Sequence, residues 1–249
     1  MITMQRVAML GLGMLAATLS ALAFGHDEKA NCAGLPTEGQ LKELLAAAPR
    51  NGGDAGGLFN GTRMWGAVVN RNGELCASAT SQADDTQVWP GSQAIAKAKA
   101  YTANAFSLDI LPLSTARLYT FTQPGHSLWS LGQSNLFNPK FLEPPSAEES
   151  NEKNGKIAGG LIFFGGGVGL YKHDKIIGGL GISGDTSCTD HEIAKRVRSA
   201  AGLNPPGGPA VDDITYSSVD GASVFTHPLC VNTFRNGVFI GNEAPASGY

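Results

Sequence analysis

The sequence predicts an α+β domain made of antiparallel strands and helices. Two hairpin patterns, three segments with helical periodicity and a globular composition support this prediction. The chain has 249 residues, of which 42% are hydrophobic and 16% are charged, so it can bury a sizeable core. Its formal charge of −3 and the lack of a long basic cluster argue against a nucleic-acid-binding protein.

Residues 1–23 are predicted to be a signal peptide. Arg6 precedes an apolar run at residues 7–22, and the small residues Ala21 and Ala23 suit a cleavage site after Ala23. The run is about 16 residues long and no charged stop-transfer segment follows it, which argues against the alternative of a retained membrane anchor. We therefore expect a periplasmic or secreted protein.

Four cysteines remain after the predicted cleavage site: Cys32, Cys76, Cys188 and Cys230. An even number of cysteines in an exported chain indicates two disulfide bonds, for which three connectivities exist. We predict the pairs Cys32–Cys76 and Cys188–Cys230, because each would tie a peripheral terminal segment to the core.

A zinc site is the alternative use of these cysteines. The sequence contains no C-x-x-C motif, and His227 and Cys230 form a closely spaced His/Cys pair. Because Pro228 lies between them, these two residues are not expected to form a helical ligand pair. The sequence therefore favours disulfides over zinc.

The first elements after the signal peptide are a short helix, a loop and a hairpin. Thr37 is expected to begin the helix and Pro49 to end it. The glycine-rich residues 51–61, NGGDAGGLFNG, predict a flexible loop. Residues 64–69 and 74–79 are strand-like and flank an Asn-Gly step, which is typical of a tight hairpin turn.

The later elements are two helices and a second hairpin. Residues 92–107 are alanine-rich with helical spacing, and residues 190–201 also have helical periodicity. Two apolar, glycine-rich runs at 157–171 and 176–183 flank a polar tip and predict two buried strands. Residues 108–156 predict a long ordered excursion followed by a solvated loop, of a length that is often functional.

The junction at residues 183–192 is the most informative place for a binding site. A strand is expected to end there and a helix to begin near Asp190, so that backbone N–H groups and the positive helix end converge. Such a place suits a carboxylate or a haem propionate; the alternative is that Thr189 or Asp190 only caps the helix. His191 is a candidate ligand for a metal or haem iron, or else a surface or capping histidine.

Motifs for nucleotide binding and hydrolysis are absent from the sequence, which contains neither G-x-x-x-x-G-K-[ST] nor G-x-S-x-G. No paired carboxylates and no Ser/His/Asp set stand at recognisable spacing, so the sequence leaves open whether the protein is an enzyme. Lys99 and Thr102 are one turn apart on a predicted helix and are placed to reach an anionic ligand. The alternative is a solvated Lys99.

Three segments, taken in order, resemble a known family. They are KAYTA at 99–103, GGLGISG at 178–184 and DHEIA at 190–194. Their order and spacing resemble the GlcG/HbpS-like haem-binding and haem-degrading family, which also occurs as the C-terminal domain of PduO-type proteins. The resemblance covers residues 62–203, and its last strand-to-helix stretch is the most specific part.

This resemblance implies a profilin-like three-layer α+β fold, with an antiparallel sheet flanked by helices, that assembles into homo-oligomers. It implies haem or a small carboxylate as the ligand. It divides the mature chain into an N-terminal extension at 24–61, the family domain at 62–203 and a C-terminal extension at 204–249. The implied ligand-binding residues, with His191 as the candidate haem-iron ligand, are Lys99, Thr102, Gly184, Asp185, Thr186, Asp190 and His191.

Three hypotheses for the function follow. The first is an exported haem-binding protein for haem sequestration, sensing or breakdown. The second is a binding protein or enzyme for a small carboxylate or hydroxy acid, held by the helix N-terminus and Lys99. The third is a non-catalytic oligomeric scaffold.

Overall fold

The computed structural model describes residues 31–141 and 156–245. The predicted signal peptide, residues 1–23, lies outside the described residues. Within those residues, no helix has the length and apolar character needed to cross a membrane.

A four-stranded antiparallel sheet forms the centre of the fold, with the strand order β2-β1-β4-β3. The strands are β1 (Trp65–Asn70), β2 (Leu75–Thr80), β3 (Gly167–Lys172) and β4 (Lys175–Ser183). Both predicted hairpins are therefore confirmed. The prediction of a strand over 157–171 is wrong for most of its length, because the backbone is irregular before Gly167 and Gly159, Gly160 and Gly166 have positive φ.

Four α-helices accompany the sheet in the part of the chain that the structure describes: α1 (Glu38–Ala47), α2 (Gly91–Phe106), α3 (Ser187–Ala200) and the short α4 (Ser217–Asp220). Thr37 begins α1 as predicted, because its side chain accepts the Gln40 N–H while the Gln40 side chain accepts the Thr37 N–H. The predicted start of α3 near Asp190 is wrong by almost a turn.

Shorter elements complete the fold. A separate two-stranded sheet pairs β5 (Thr233–Arg235) with β6 (Val238–Gly241). Single 3₁₀ turns lie at Ala48–Arg50, Asp85–Gln87, Thr115–Leu118, Thr120–Thr122, Leu131–Gln133 and Pro139–Phe141. Four of these turns lie in the described part of the predicted excursion, residues 108–141, and the predicted solvated loop at 144–154 lies outside the described residues.

The sheet is covered on both faces, which confirms the three-layer arrangement. Trp65, Ala67 and Val69 alternate along β1 and pack with Ala96 and Ala100 of α2. The opposite face packs against α1 and α3 in a core cluster that contains Leu41, Leu45, Val68, Leu180, Ile182, Ile193 and Val197. Because β1 and the last six residues of β4 are buried, their sequences are mostly apolar or small.

Glycines in β4 let α2 lie directly on the sheet. A Cβ atom at Gly181 would overlap the carbonyl oxygen of Ala96, and one at Gly179 would overlap that of Ala100. The glycines of this strand therefore mark a close backbone approach, as expected from the sequence.

Both predicted disulfide bonds are confirmed. Cys32 pairs with Cys76, which ties the segment before α1 to β2. Cys188 pairs with Cys230, which ties the first turn of α3 to the C-terminal extension. No free cysteine is found among the described residues.

The close approach of α2 and β4 predicts a difference between two glycine-to-alanine substitutions. Gly181→Ala should lower the free energy of unfolding by roughly 1–3 kcal/mol, because the new methyl group must push α2 away from the sheet. Gly39→Ala, in exposed α1 sequence with no atom near the new Cβ, should raise it by up to about 1 kcal/mol. Denaturant unfolding of both variants measures the difference, and equal effects would contradict the packing described here.

Candidate functional site

The candidate site lies where β4 ends and α3 begins. Gly184 follows β4 with φ 155°, and a Cβ atom there would overlap the carbonyl oxygen of Arg63. Thr186 then caps α3, because its side chain accepts the N–H of Thr189. The expectation that Thr189 or Asp190 is the cap is therefore wrong.

A buried ion pair joins α2 to α3 at this junction. Lys99 Nζ lies 2.7 Å from Asp190 Oδ2, and their side chains are 0% and 2% exposed. Lys99 also donates to the Ile182 carbonyl at 3.0 Å and lies 4.9 Å from the centre of the Phe164 ring. The alternative of a solvated Lys99 is therefore wrong.

Burial shapes the electrostatics of this pair. It raises the pKa of Asp190 to about 6, although the Lys99 charge and the N–H of Asp185 act to lower it. Burial also lowers the pKa of Lys99, against the stabilising charge of Asp190. Each group therefore depends on the other to remain charged inside the protein.

Asp185 accepts hydrogen bonds from the glycine-rich loop at residues 51–61. The N–H groups of Leu58 and Phe59 donate to its two carboxylate oxygens at 2.7 and 2.8 Å. A Cβ atom at Gly57 would overlap this carboxylate, and Gly57 has φ 71°. The loop, predicted to be flexible, is therefore folded around an anion that the chain itself supplies.

The amide groups at the helix start are engaged in the same way. The N–H of Asp185 donates to Asp190 Oδ1 at 2.9 Å, and the N–H of Thr186 donates to Asp185 Oδ1 at 2.7 Å. The N–H of Thr189 donates to the Thr186 hydroxyl. The amides expected to receive an external carboxylate or a haem propionate thus already bind oxygens of this chain.

Thr102 makes its hydrogen bonds away from the junction residues. It is fully buried, and its hydroxyl donates to the Ala98 carbonyl at 2.7 Å and accepts the Ile162 N–H at 3.0 Å. This residue positions the segment before β3 on α2. The structure brings the other six predicted residues together around the end of β4.

His191 is the one predicted residue whose side chain lacks hydrogen bonds. It is 0% exposed, and neither ring nitrogen has a hydrogen-bond partner among the described residues. Its Nε2 atom lies 3.4 Å from Asp213 Oδ1, which comes from the C-terminal extension. A buried imidazole without a hydrogen bond to either ring nitrogen has the donor chemistry of an iron ligand.

Asp213 covers His191 and also binds α3. Its Oδ2 atom lies 2.7 Å from Lys195 Nζ. Burial acts to raise the pKa of Asp213, but its contact with His191 and the charge of Lys195 outweigh burial, and the pKa lies below its usual range. The preceding residue, Asp212, accepts hydrogen bonds from Arg198 with both carboxylate oxygens, and both side chains are fully buried. Two charged side chains of α3, Lys195 and Arg198, and its histidine therefore face the C-terminal extension.

This closed arrangement does not provide space for a haem beside His191. The cleft between α3 and the C-terminal extension has a volume of about 470 Å³ and is lined by Lys195, Arg196 and Asp213, but none of the seven predicted residues lines it. The cleft at Gly184 has about 150 Å³, below the roughly 300 Å³ at which ligand pockets begin. The His191 imidazole is a suitable type of ligand for haem iron, whereas the space around it is too small for haem.

Sequence reasoning missed the contribution of the C-terminal extension. Asp212, Asp213 and His227 all reach α3 or its first turn, although they follow it by many residues. No local pattern around these residues signals those contacts. The glycine-rich loop carried a usable signal, because the two Gly-Gly and two Asn-Gly steps of residues 51–61 suit the left-handed backbone that folds around Asp185.

A family model of haem-degrading, HbpS-like proteins matches residues 40–198. The chain belongs to the HbpS-like haem-degrading family. No curated protein matches it. The matched range of this HbpS-like chain contains all seven predicted residues, whereas Asp213 and Cys230, which lie against α3, fall outside it.

Solved structures with similarity to this HbpS-like chain include a PduOC–haem complex, with 23% identity, a TM-score of 0.45 and coverage of 67% of this chain and 92% of that chain. The Klebsiella pneumoniae protein ORFY is 20% identical, with a TM-score of 0.44 and coverage of 66% and 86%. HbpS is 19% identical, with a TM-score of 0.40 and coverage of 66% and 89%.

The burial of the Lys99–Asp190 pair predicts a large effect of removing one partner. Lys99→Met should lower the free energy of unfolding by about 3–5 kcal/mol, because it leaves a buried carboxylate without its cation. Lys175 makes an ion pair of similar length with Asp109 at the surface, so Lys175→Met is the matched control and should change stability little. Denaturant unfolding compares the two, and a small loss for Lys99→Met would show that the pair is not closed from water.

Proposed function

We propose that this chain is an exported haem-binding protein that acts in haem sequestration, sensing or breakdown. The observation that carries the proposal is the match of the HbpS-like haem-degrading family to residues 40–198. The motifs KAYTA, GGLGISG and DHEIA all lie inside this range and meet at the end of β4.

Export is supported by the covalent structure. Two disulfide bonds, Cys32–Cys76 and Cys188–Cys230, use all four cysteines of the chain. Such bonds persist in oxidising compartments outside the cytosol. Together with the predicted signal peptide at 1–23, they favour a periplasmic or secreted protein.

His191 is our candidate for the haem-iron ligand. Among the seven predicted residues it is the one whose donor atoms are not engaged in hydrogen bonds within the chain. Because Asp213 closes the space beside it, haem can approach His191 only in a form in which the segment around Asp213 has moved away from α3, while Cys230 stays bonded to Cys188. We therefore expect haem binding to be coupled to a local opening of this segment.

Haemin titration followed by absorbance tests this proposal. The oxidised chain without its signal peptide should bind one equivalent of haemin with a shifted Soret band. His191→Ala should abolish that shift, whereas the matched control His126→Ala, at an exposed position, should retain it. Thermal unfolding of both variants checks that each is folded before the comparison is made.

Two outcomes of this titration would contradict parts of the proposal. Absence of saturable binding by the unsubstituted chain would refute haem binding itself. An unchanged Soret shift in folded His191→Ala would retain haem binding and show that another residue holds the iron.

We also propose that the protein forms homo-oligomers. The turn after α2 exposes three apolar side chains, with Ile110 92%, Leu108 52% and Leu111 48% exposed. Contiguous exposed apolar side chains of this kind mark interaction surfaces. Light scattering should give the mass of a dimer or larger assembly, and Ile110→Lys should reduce it. A monomeric mass for the unsubstituted chain would refute this proposal.

A further inference from the structure

A cluster of metal-ligand side-chain types lies at the start of α3, on the side that faces the C-terminal extension. Cys188, His227 and Cys230 each offer one ligand atom, and these atoms lie within 4.8 Å of one another. Across residues 31–141 and 156–245, this is the one such group of three His, Cys, Asp or Glu side chains. All three residues are buried, and in the oxidised protein the two sulfur atoms form a disulfide bond.

The His227 ring is held in one orientation. Its Nδ1 atom lies 2.7 Å from the Pro228 carbonyl oxygen, so Nδ1 carries the hydrogen and donates it. Its Nε2 atom accepts the Gly165 N–H at 3.2 Å, which requires a free electron pair on Nε2. A neutral histidine that donates one ring N–H to a carbonyl and has an electron pair on the other nitrogen has the arrangement found in metal sites.

The Nε2 atom lies on the same side as the sulfur atoms. The Ser187 hydroxyl is 3.5 Å from His227 Nε2 and 3.4 Å from Cys230 Sγ. The ring nitrogen, the hydroxyl and the sulfur therefore surround a common point at the helix start.

The helix start also favours negative charge on sulfur. The Cys188 N–H donates to Cys230 Sγ at 3.2 Å, and both sulfur atoms lie at the positive end of α3, which is 14 residues long. Thiolates at such positions are stabilised relative to thiols. A thiolate, not a thiol, is the form of cysteine that binds metal ions.

We propose that reduction of the Cys188–Cys230 disulfide creates a Cys₂His site for a zinc-class metal ion, with His227 as the third ligand. A dithiol supplies two electrons and two protons, becomes a disulfide itself and leaves thiols at Cys188 and Cys230. The metal ion then displaces the two thiol protons and takes the Nε2 electron pair in place of the Gly165 N–H. Two sulfur ligands and one nitrogen suit a four-coordinate zinc ion, whose fourth position is open to Ser187 or water.

This site gives the C-terminal extension a second means of attachment. In the oxidised protein a covalent bond holds Cys230 and its neighbours on α3. In the reduced protein the metal ion would hold the same residues, because Cys188 belongs to α3 whereas His227 and Cys230 belong to the extension. The inference uses none of the residues proposed for haem and does not depend on haem binding.

Cobalt titration of the reduced protein tests the site. The double variant Cys32→Ser with Cys76→Ser leaves a single disulfide, which a phosphine reduces while taking up oxygen from water. One equivalent of Co²⁺ should then produce thiolate-to-cobalt charge-transfer bands and the strong visible bands of tetrahedral cobalt. Zn²⁺ should displace the cobalt and remove both.

A matched pair of histidine variants identifies the third ligand. In the same background His227→Asn should weaken cobalt binding at least tenfold, while His126→Asn, at an exposed position, should leave it unchanged. Absence of saturable cobalt bands would overturn the inference. Equal affinity in the two histidine variants would also overturn it, because the thiolates alone would then account for binding.

Labelling of the unsubstituted chain supplies a second test that does not require the double variant to fold. After reduction, stoichiometric Zn²⁺ should slow alkylation of Cys188 and Cys230 at least tenfold, but not that of Cys32 and Cys76. Mass spectrometry of the digested protein locates the label. Equal protection of both pairs, or of neither, would overturn the inference.

Discussion

The buried contact between Lys99 and Asp190 is the interaction on which the arrangement at the end of β4 depends. The two helices that carry these residues lie on opposite faces of the sheet, so the pair joins the two outer layers past the strand end. A Cβ atom at Gly166 would lie 2.7 Å from Lys99 Nζ and 2.9 Å from Asp190 Cβ, so the backbone of that residue packs against the pair. Two buried charges cost desolvation energy, and we infer that their value here is the fixed placement of the helices.

That placement explains why the junction is closed in this HbpS-like chain. With Asp190 fixed, its second oxygen holds the N–H of Asp185, and the Asp185 carboxylate in turn binds the amides of Leu58 and Phe59. On the other side of α3, Asp213 covers His191. The N-terminal loop and the C-terminal extension thus close the same strand-to-helix junction from two directions. A junction that is expected to bind an anion is filled by carboxylates of the chain itself.

Local patterns predicted the elements well, and long-range contacts account for the errors. The Asn-Gly turn, the alanine-rich helix and the two disulfide pairs were all predicted from short stretches or cysteine positions. The early start of α3 was missed because Thr186 was not recognised as the cap. Lys99 is buried against Asp190, which lies 91 residues along the chain, and His191 is covered by Asp213, which lies outside the family match. No local pattern encodes either contact.

Amide hydrogen exchange of the glycine-rich loop tests most directly whether the chain closes its own strand-to-helix junction. The N–H groups of Leu58 and Phe59 should exchange far more slowly than those of an unstructured chain, although Leu58 has an exposed side chain, because both donate to Asp185. Asp185→Asn should remove most of that protection. Exchange of both amides at the unstructured rate in the unsubstituted protein would contradict the closed junction.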